Sequence, residues 1–253
     1  MTRVALITGG AQGIGRAIAE RLAADGVEVL VADVAIDLAR ETAQALRQTG
    51  AQATAMHLDI GDEASVAAAY REIEQRFGHL HILVNNAGVP GVQDGRRVPI
   101  ELTSLATWQR TLDVNLTGPL LMCRAALPLM RRAGFGRIVN MTSRAARGRA
   151  VPHIGCYAAS KAGLIGLSQV LAGELGPEGF TVNCVAPSTV DTAMTQVTSQ
   201  GKPEYFERLA QVTAVGRLAT AADMADTVAF LCSDEAAFIT GTVIDVNGGS
   251  VML

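Results

Sequence analysis

The chain of 253 residues lacks any strong imbalance of charge, with 21 Lys and Arg against 24 Asp and Glu and a formal charge of -3. No long Lys/Arg run compensates locally, so nothing attracts a phosphate backbone and nucleic acid is not an expected partner. Cysteine patterns are missing too. Cys123, Cys156, Cys184 and Cys232 lie far apart, form no Cys-x-x-Cys or Cys/His cluster, and signal neither a disulfide framework nor a zinc site. They read as small buried hydrophobes. No apolar stretch approaches the ~18 residues of a membrane span, and the run Val4 to Ile7 is too short for a signal-peptide core. These absences predict a cytoplasmic protein without a metal and without a membrane partner. Internal repeats, low-complexity tracts and long Pro/Gly/Ser linkers are lacking as well, so residues 1–253 are expected to form one domain.

What is present is a hydrophobic content of 49%, enough to fill a real core. Short Val/Ile/Leu-rich runs alternate with longer Ala-rich segments, the pattern of a parallel sheet covered by helices on both faces. The predicted strands are Val4 to Thr8, Val29 to Asp33, Ala53 to Leu58, Ile82 to Asn85, Arg137 to Thr142, Thr181 to Ala186 and Val243 to Val246. Their continuous hydrophobicity fits strands buried on both sides. Ile14, Ile18 and Leu22, and again Leu164, Leu167, Leu171 and Leu175, recur at helical spacing and mark one-sided helices. The fold class is therefore α/β, a doubly wound domain with a seven-stranded parallel sheet. Val89 to Pro99 and about 188–215 are irregular. The second follows the carboxyl end of the sixth strand, where open α/β sheets place ligands, and is read as a substrate lid.

The first strand runs into Thr8-Gly9-Gly10-Ala11-Gln12-Gly13-Ile14-Gly15 and then a helix. Glycines there let the backbone approach a pyrophosphate at a helix N-terminus, although the spacing is Gly-x-x-x-Gly-x-Gly and a plain turn is the alternative. Asp33 closes the second strand at roughly the 20-residue spacing at which an acidic side chain accepts hydrogen bonds from the adenosine ribose. A carboxylate there repels a 2'-phosphate, and neither Gln12 nor Ala35 offers a cation, so NAD is expected over NADP. Arg40 is the one cation able to reach round, and a strand-end Asp capping a turn is the simpler reading.

Further motifs complete a pattern. They are Asp59 after the third strand, Asn85-Asn86-Ala87-Gly88 after the fourth, Asn115 within a helix, Ser143 after the fifth, Tyr157-Ala158-Ala159-Ser160-Lys161, and Asp245-Val246-Asn247-Gly248-Gly249. In order and spacing the chain resembles the short-chain dehydrogenase/reductase family of single-domain Rossmann type, over essentially its whole length. The resemblance implies that Asn115, Ser143, Tyr157 and Lys161 form the catalytic tetrad. It implies a cofactor site made of Gly9, Gln12, Gly13, Ile14, Gly15, Asp33, Asp59, Ile60, Asn86, Ala87, Gly88, Tyr157, Lys161, Val190 and Thr192. Tyr157 and Lys161 stand four apart on one helix face, so an ammonium can sit beside the phenol and favour its ionised form. Asn115 is expected to hold a water that links Lys161 to solvent, the alternative being a helix residue bonding backbone at a kink. The resemblance also implies a homotetramer, with Val251, Met252 and Leu253 at subunit contacts.

Two positions depart from the family pattern. Pro187 is followed by Ser188 in place of the usual Gly, and Tyr157 follows Ser143 by one residue more than the commonest spacing, leaving Thr142 and Arg144 as alternatives in register. Ser143, Arg144, His153, Tyr157 and Ser188 are the expected substrate contacts. Arg144, Arg147 and Arg149 suggest an anionic substrate, against a solvated or subunit-contact role. His57, His79 and His81 read as surface residues. The expected function is NAD(H)-dependent interconversion of a secondary alcohol (polyol, sugar or hydroxy acid) and a ketone by hydride transfer. An NADPH-dependent 3-oxoacyl-type reductase is the enzyme alternative, and a non-catalytic NAD-binding protein the third.

Overall fold

The computed structural model describes residues 2–148, 151–190, 192, 195 and 203–252. Seven parallel strands form one sheet in the order β3-β2-β1-β4-β5-β6-β7. They are β1 (Val4–Thr8), β2 (Glu28–Asp33), β3 (Ala53–His57), β4 (Ile82–Asn85), β5 (Arg137–Met141), β6 (Thr181–Pro187) and β7 (Val243–Val246). Each differs from the expected span by no more than a residue at an end. The helices are α1 (Gly13–Ala24), α2 (Ile36–Gln48), α3 (Glu63–Phe77), α4 (Leu105–Leu112), α5 (Gly118–Ala133), α6 (Gly155–Leu175), α7 (Pro203–Gln211) and α8 (Ala221–Cys232).

Alternation along the strands sorts the core into two layers, because successive side chains leave a strand on opposite faces. Ala5, Ile7, Val29 and Val31 pack on one side with Ile18 and Leu22 of α1, Ala39 and Ala43 of α2, and Met224 and Val228 of α8. Leu6, Leu30 and Leu83 pack on the other with Val66 and Ile73 of α3, Met122 and Ala126 of α5, and Leu171 and Leu175 of α6. Each fully buried Leu or Ile contributes about 1.5–3 kcal/mol. The four cysteines are free and buried, as their scatter implied.

His81 is a correction to its surface assignment. It is buried, its Nδ1 accepts the Val4 backbone N–H at 3.0 Å, and burial, with help from His79, pulls its imidazolium down to about 4. The bond supplies a partner for the first N–H of β1.

The chain winds from β1 outward to β3, then returns to lay β4 on the other side of β1. The crevice between the carboxyl ends of β1 and β4 is the reversal point where this architecture receives ligands. Asn86, just past β4, closes it from below: Nδ2 donates to the Thr8 and Gly9 carbonyls, each at 3.0 Å.

Candidate active site

The loop after β1 is shaped by backbone. Gly9 and Gly13 have φ of 62° and 56°, a region that favours glycine, and a Cβ on Gly15 would lie 2.1 Å from the Gly9 carbonyl oxygen. Gly15 is buried and acts by letting loop and helix close together rather than by facing the cleft. Gln12 is the N-cap of α1 but makes no side-chain cap, and the first turn carries no acid. The N–H groups of that turn are thus available to an anion, which fits the pyrophosphate of a dinucleotide.

From this loop a cleft of about 460 Å³ runs across the sheet to α6. Gly9, Gln12, Gly13, Ile14, Asp33, Asp59, Ile60 and Asn86 to Gly88 line its first part, as expected for a cofactor site. Asp33 does two things at once. Its oxygens accept the Ala11 N–H at 3.2 Å and the Ala35 N–H at 3.0 Å, so it caps a turn, and it still faces the cleft. An ionised carboxylate has about four acceptor positions, which leaves room for ribose hydroxyls. Arg40 instead pairs with Asp37 at 2.8 Å and does not line the cleft. Asp59 holds the Gly61 N–H at 2.8 Å and faces Arg110 at 3.6 Å.

Ser143, Arg144, Tyr157, Lys161 and Ser188 line the other part, and Val190 and Thr192 complete the wall, Thr192 beside Gly13. Both Thr142 and Ser143 line the cleft, but the Thr142 hydroxyl is taken up by the Val185 carbonyl at 3.0 Å, whereas Ser143 acts on Tyr157, holding its phenol down against the effect of burial. Lys161 is buried and donates to the Met141 carbonyl at 2.8 Å, with Nζ 6.0 Å from the centre of the Tyr157 ring. Burial pulls its ammonium down to about 8. Burial also raises the Tyr157 phenol, while Ser143 and then the charge of Arg97 act against that rise. Arg97 thus joins Lys161 as a cation at the Tyr157 end of the cleft.

Helix α6 is fixed to the sheet by a chain of buried polar groups. Asn85 Nδ2 donates to Asn140 Oδ1, Asn140 Nδ2 to Ser168 Oγ, both at 2.8 Å, and Ser168 Oγ to the Leu164 carbonyl at 2.6 Å. This buried network sets the position of the helix along its axis, although Asn85 Oδ1 is left without a partner. Asn115 is fully buried in a π-helical turn, Asp113–Thr117, between α4 and α5. Its amide bonds the Val89 N–H at 2.8 Å, the Val89 carbonyl at 2.9 Å and Ser160 Oγ at 3.1 Å. The side chain therefore clamps backbone at a kink, the alternative that the sequence left open, and such single-turn bulges often accompany functional sites.

Other expected contacts are not brought together. His153 is exposed with φ of 64° and is not on the cleft wall. Arg147 pairs with Asp245 at 3.1 Å, and Arg149 and Leu253 lie outside the described residues. In the 188–215 segment, Ser188, Thr189, Val190, Thr192 and Thr195 line the cleft, the described side chains of α7 do not, and residues 191, 193–194 and 196–202 are outside the described set. Arg97 was missed from the sequence. The Asp94-Gly95 turn just before it was its only signal.

Sheet order, glycine loop and crevice define the class of parallel α/β dinucleotide-binding proteins. A family model described as Enoyl-(Acyl carrier protein) reductase matches residues 9–251. The chain is 40% identical over 251 residues to D-threitol dehydrogenase of Mycolicibacterium smegmatis, covering 98% of this chain and 92% of that one. It is 39% identical over 257 residues to 3-oxoacyl-(acyl-carrier-protein) reductase FabG of Escherichia coli, covering 99% and 98%. Among solved structures, levodione reductase superposes with a TM-score of 0.91 at 34% identity, covering 98% and 96%. The chain belongs to the short-chain dehydrogenase/reductase family, oxidoreductases that use a nicotinamide cofactor. No described helix is long and apolar enough to cross a membrane, and no described cluster of His, Cys, Asp and Glu is arranged to hold a metal.

Proposed function

We propose that this protein is an NAD(H)-dependent dehydrogenase that interconverts a secondary alcohol and its ketone, with Tyr157 as the proton-transfer residue. The observation that carries the reading is the grouping of Ser143, Tyr157 and buried Lys161 on the wall of the cleft that continues to the glycine loop. A bound nicotinamide would supply the two-electron exchange with the substrate carbon. In the oxidation direction Tyr157 Oη takes the hydroxyl proton, and it returns that proton in reduction. Ser143 Oγ holds the same substrate oxygen. Lys161 carries its charge up to a pH of about 8, where it orients the nicotinamide ribose and steadies the ionised phenol. Asn115 positions the loop after β4 through Val89.

NAD is the proposed cofactor because Asp33 faces the adenosine end and Arg40 is already paired. The relative named D-threitol dehydrogenase supports a polyol or related alcohol, while the relative named 3-oxoacyl-(acyl-carrier-protein) reductase keeps the ketone-reducing direction as a second reading. A binding protein without turnover has no use for the Ser143, Tyr157 and Lys161 group. We also propose a homo-oligomer, a tetramer, since Leu105 on α4, Leu120 on α5 and Val170 on α6 are exposed apolar side chains. The whole chain is read as one catalytic domain with 188–215 as its lid, in the cytoplasm. A turnover screen of polyols, sugars, hydroxy acids and hydroxyacyl thioesters, run in parallel with NAD and NADP, tests the reading. Absence of turnover with every substrate and both cofactors would overturn it.

A further inference from the structure

The loop between β4 and α4 delivers a cation to the catalytic end of the cleft. Asp94 and Gly95 have φ of 49° and 72°, and Gln93 and Arg96 exchange both backbone hydrogen bonds at 2.9 Å. Positive φ at both central residues is the mark of a tight type I' turn, which fixes the direction in which the chain leaves toward Arg97. The Gln93 side chain accepts the Ser104 N–H at 2.9 Å, tying the turn to the start of α4. At the other end of the loop, Cys156, the neighbour of Tyr157, donates its thiol to the Gly91 carbonyl at 3.4 Å. Arg97 is thus held on the same scaffold as the reacting tyrosine.

Among the described residues its guanidinium has no counterion. Nε is buried without a partner, and among the described residues the side chain forms no hydrogen bond or ion pair, although it lines the cleft. The neighbouring guanidiniums have counterions, since Arg110 faces Asp59 and Arg147, whose Nε is likewise buried without a partner, pairs through its Nη2 with Asp245. Arg144 adds a second cation to the same wall. The carboxylates among the described lining residues, Asp33 and Asp59, stand at the glycine-loop end. A part-buried cation with an orphaned donor carries a desolvation cost that an anion offsets, and the planar fork of Arg suits a carboxylate or phosphate.

We infer that Arg97 anchors a compact anionic group on the substrate, a carboxylate or a phosphate ester, so that the enzyme acts on acidic alcohols in preference to neutral ones. This rests on the dehydrogenase reading and narrows its substrate class. Charge-assisted hydrogen bonds of this kind correspond to roughly 10- to 100-fold in affinity.

The test has a binding arm and a turnover arm. Binding of butanoate and of the isosteric butanamide is measured by titration calorimetry on the full chain with NAD present. The parent should favour butanoate by about tenfold or more, Arg97→Lys should keep a reduced preference, and Arg97→Gln should lose it. Equal affinities in the parent, or an undiminished preference in Arg97→Lys and Arg97→Gln, would overturn the inference. If Arg97→Gln does not fold, the parent and Arg97→Lys decide the question alone. In the turnover arm, short hydroxy acids, hydroxyalkyl phosphates and neutral diols are compared in all three proteins. A higher kcat/KM for the acids or for the phosphates identifies the source of the anion, whereas efficient turnover confined to neutral diols, unchanged in Arg97→Gln, removes Arg97 and leaves the dehydrogenase. If nothing turns over, the dehydrogenase reading falls and the butanoate-to-butanamide ratio still judges the arginine.

Discussion

The two ends of the cleft are made differently. At the glycine-loop end the working groups are main-chain N–H donors and a carboxylate whose two oxygens are already tied to backbone. At the α6 end they are side chains held by burial, with Lys161 on a strand carbonyl, Tyr157 beside Ser143, and Arg97 without a partner among the described residues. The first end fixes geometry through what cannot be placed there, the second through what must be. Changes at the first should therefore alter cofactor binding, and changes at the second should alter rate.

The largest effect is expected from Tyr157→Phe. Removing one oxygen and keeping the ring should lower kcat by about 10²- to 10⁴-fold while NAD affinity stays within a few-fold. Equal loss in both would erase the distinction between the two ends. Gly15→Ala probes the opposite pole, since its Cβ would meet the Gly9 carbonyl at 2.1 Å. A rearranged loop should weaken NAD binding by roughly 100-fold, about 2.7 kcal/mol, as read by titration of cofactor fluorescence. Undisturbed binding would mean that the loop is not the dinucleotide cradle.

Lys161→Ala tests whether the ends communicate. One ammonium is assigned to the phenol and to the ribose, so rate and cofactor affinity should fall together, by about tenfold or more each. Loss of rate alone would confine Lys161 to the catalytic end. A smaller effect concerns Asp33: like charge against a 2'-phosphate should give NAD a preference of roughly tenfold in kcat/KM. Asp33→Ser combined with Val34→Arg should move the ratio towards NADP, and a parent that uses both cofactors equally would remove Asp33 from ribose recognition.

The smallest effect lies away from both ends. His81 is neutral when folded, with its pKa pulled down to about 4 from the ordinary ~6.5. The unfolded chain binds the extra proton first, so the stabilisation is complete above about pH 6.5 and is lost as pH falls towards 4. Thermal midpoints of the parent should drop over that window more steeply than those of His81→Gln. Parallel curves would show that His81 is not the titrating group.

The contrast between the ends also explains what was legible in the sequence. Strand runs and glycines speak locally, so all seven strands and the loop at Gly9 to Gly15 could be read within a residue or so. The helix periodicities of Ile18, Leu22, Leu164 and Leu175 mapped onto the core for the same reason. Tertiary partnerships do not speak locally. The role of Asn115 as a clamp on Val89, the burial of His81 under Val4, and the neutralisation of Arg147 by Asp245 all join distant segments. Arg97 escaped notice because its significance is a missing partner, which no spacing encodes. The catalytic group was named through family likeness, since a Tyr and a Lys one helical turn apart are common on any exposed helix.

The brace at Asn86 has a consequence for how the protein comes into being. Its amide grips carbonyls 77 and 78 positions earlier in the chain, so the glycine loop is finished only by a segment made much later. A ribosome that has released no more than β3 exposes the loop sequence without its brace. Once β4 and Asn86 have emerged, the loop has the amide that grips it, while Tyr157 and Lys161, and the helix α8 that packs on α1, are still unmade. Synthesis thus delivers the grip on the glycine loop before the side chains assigned to proton transfer, and the packing of α1 after them.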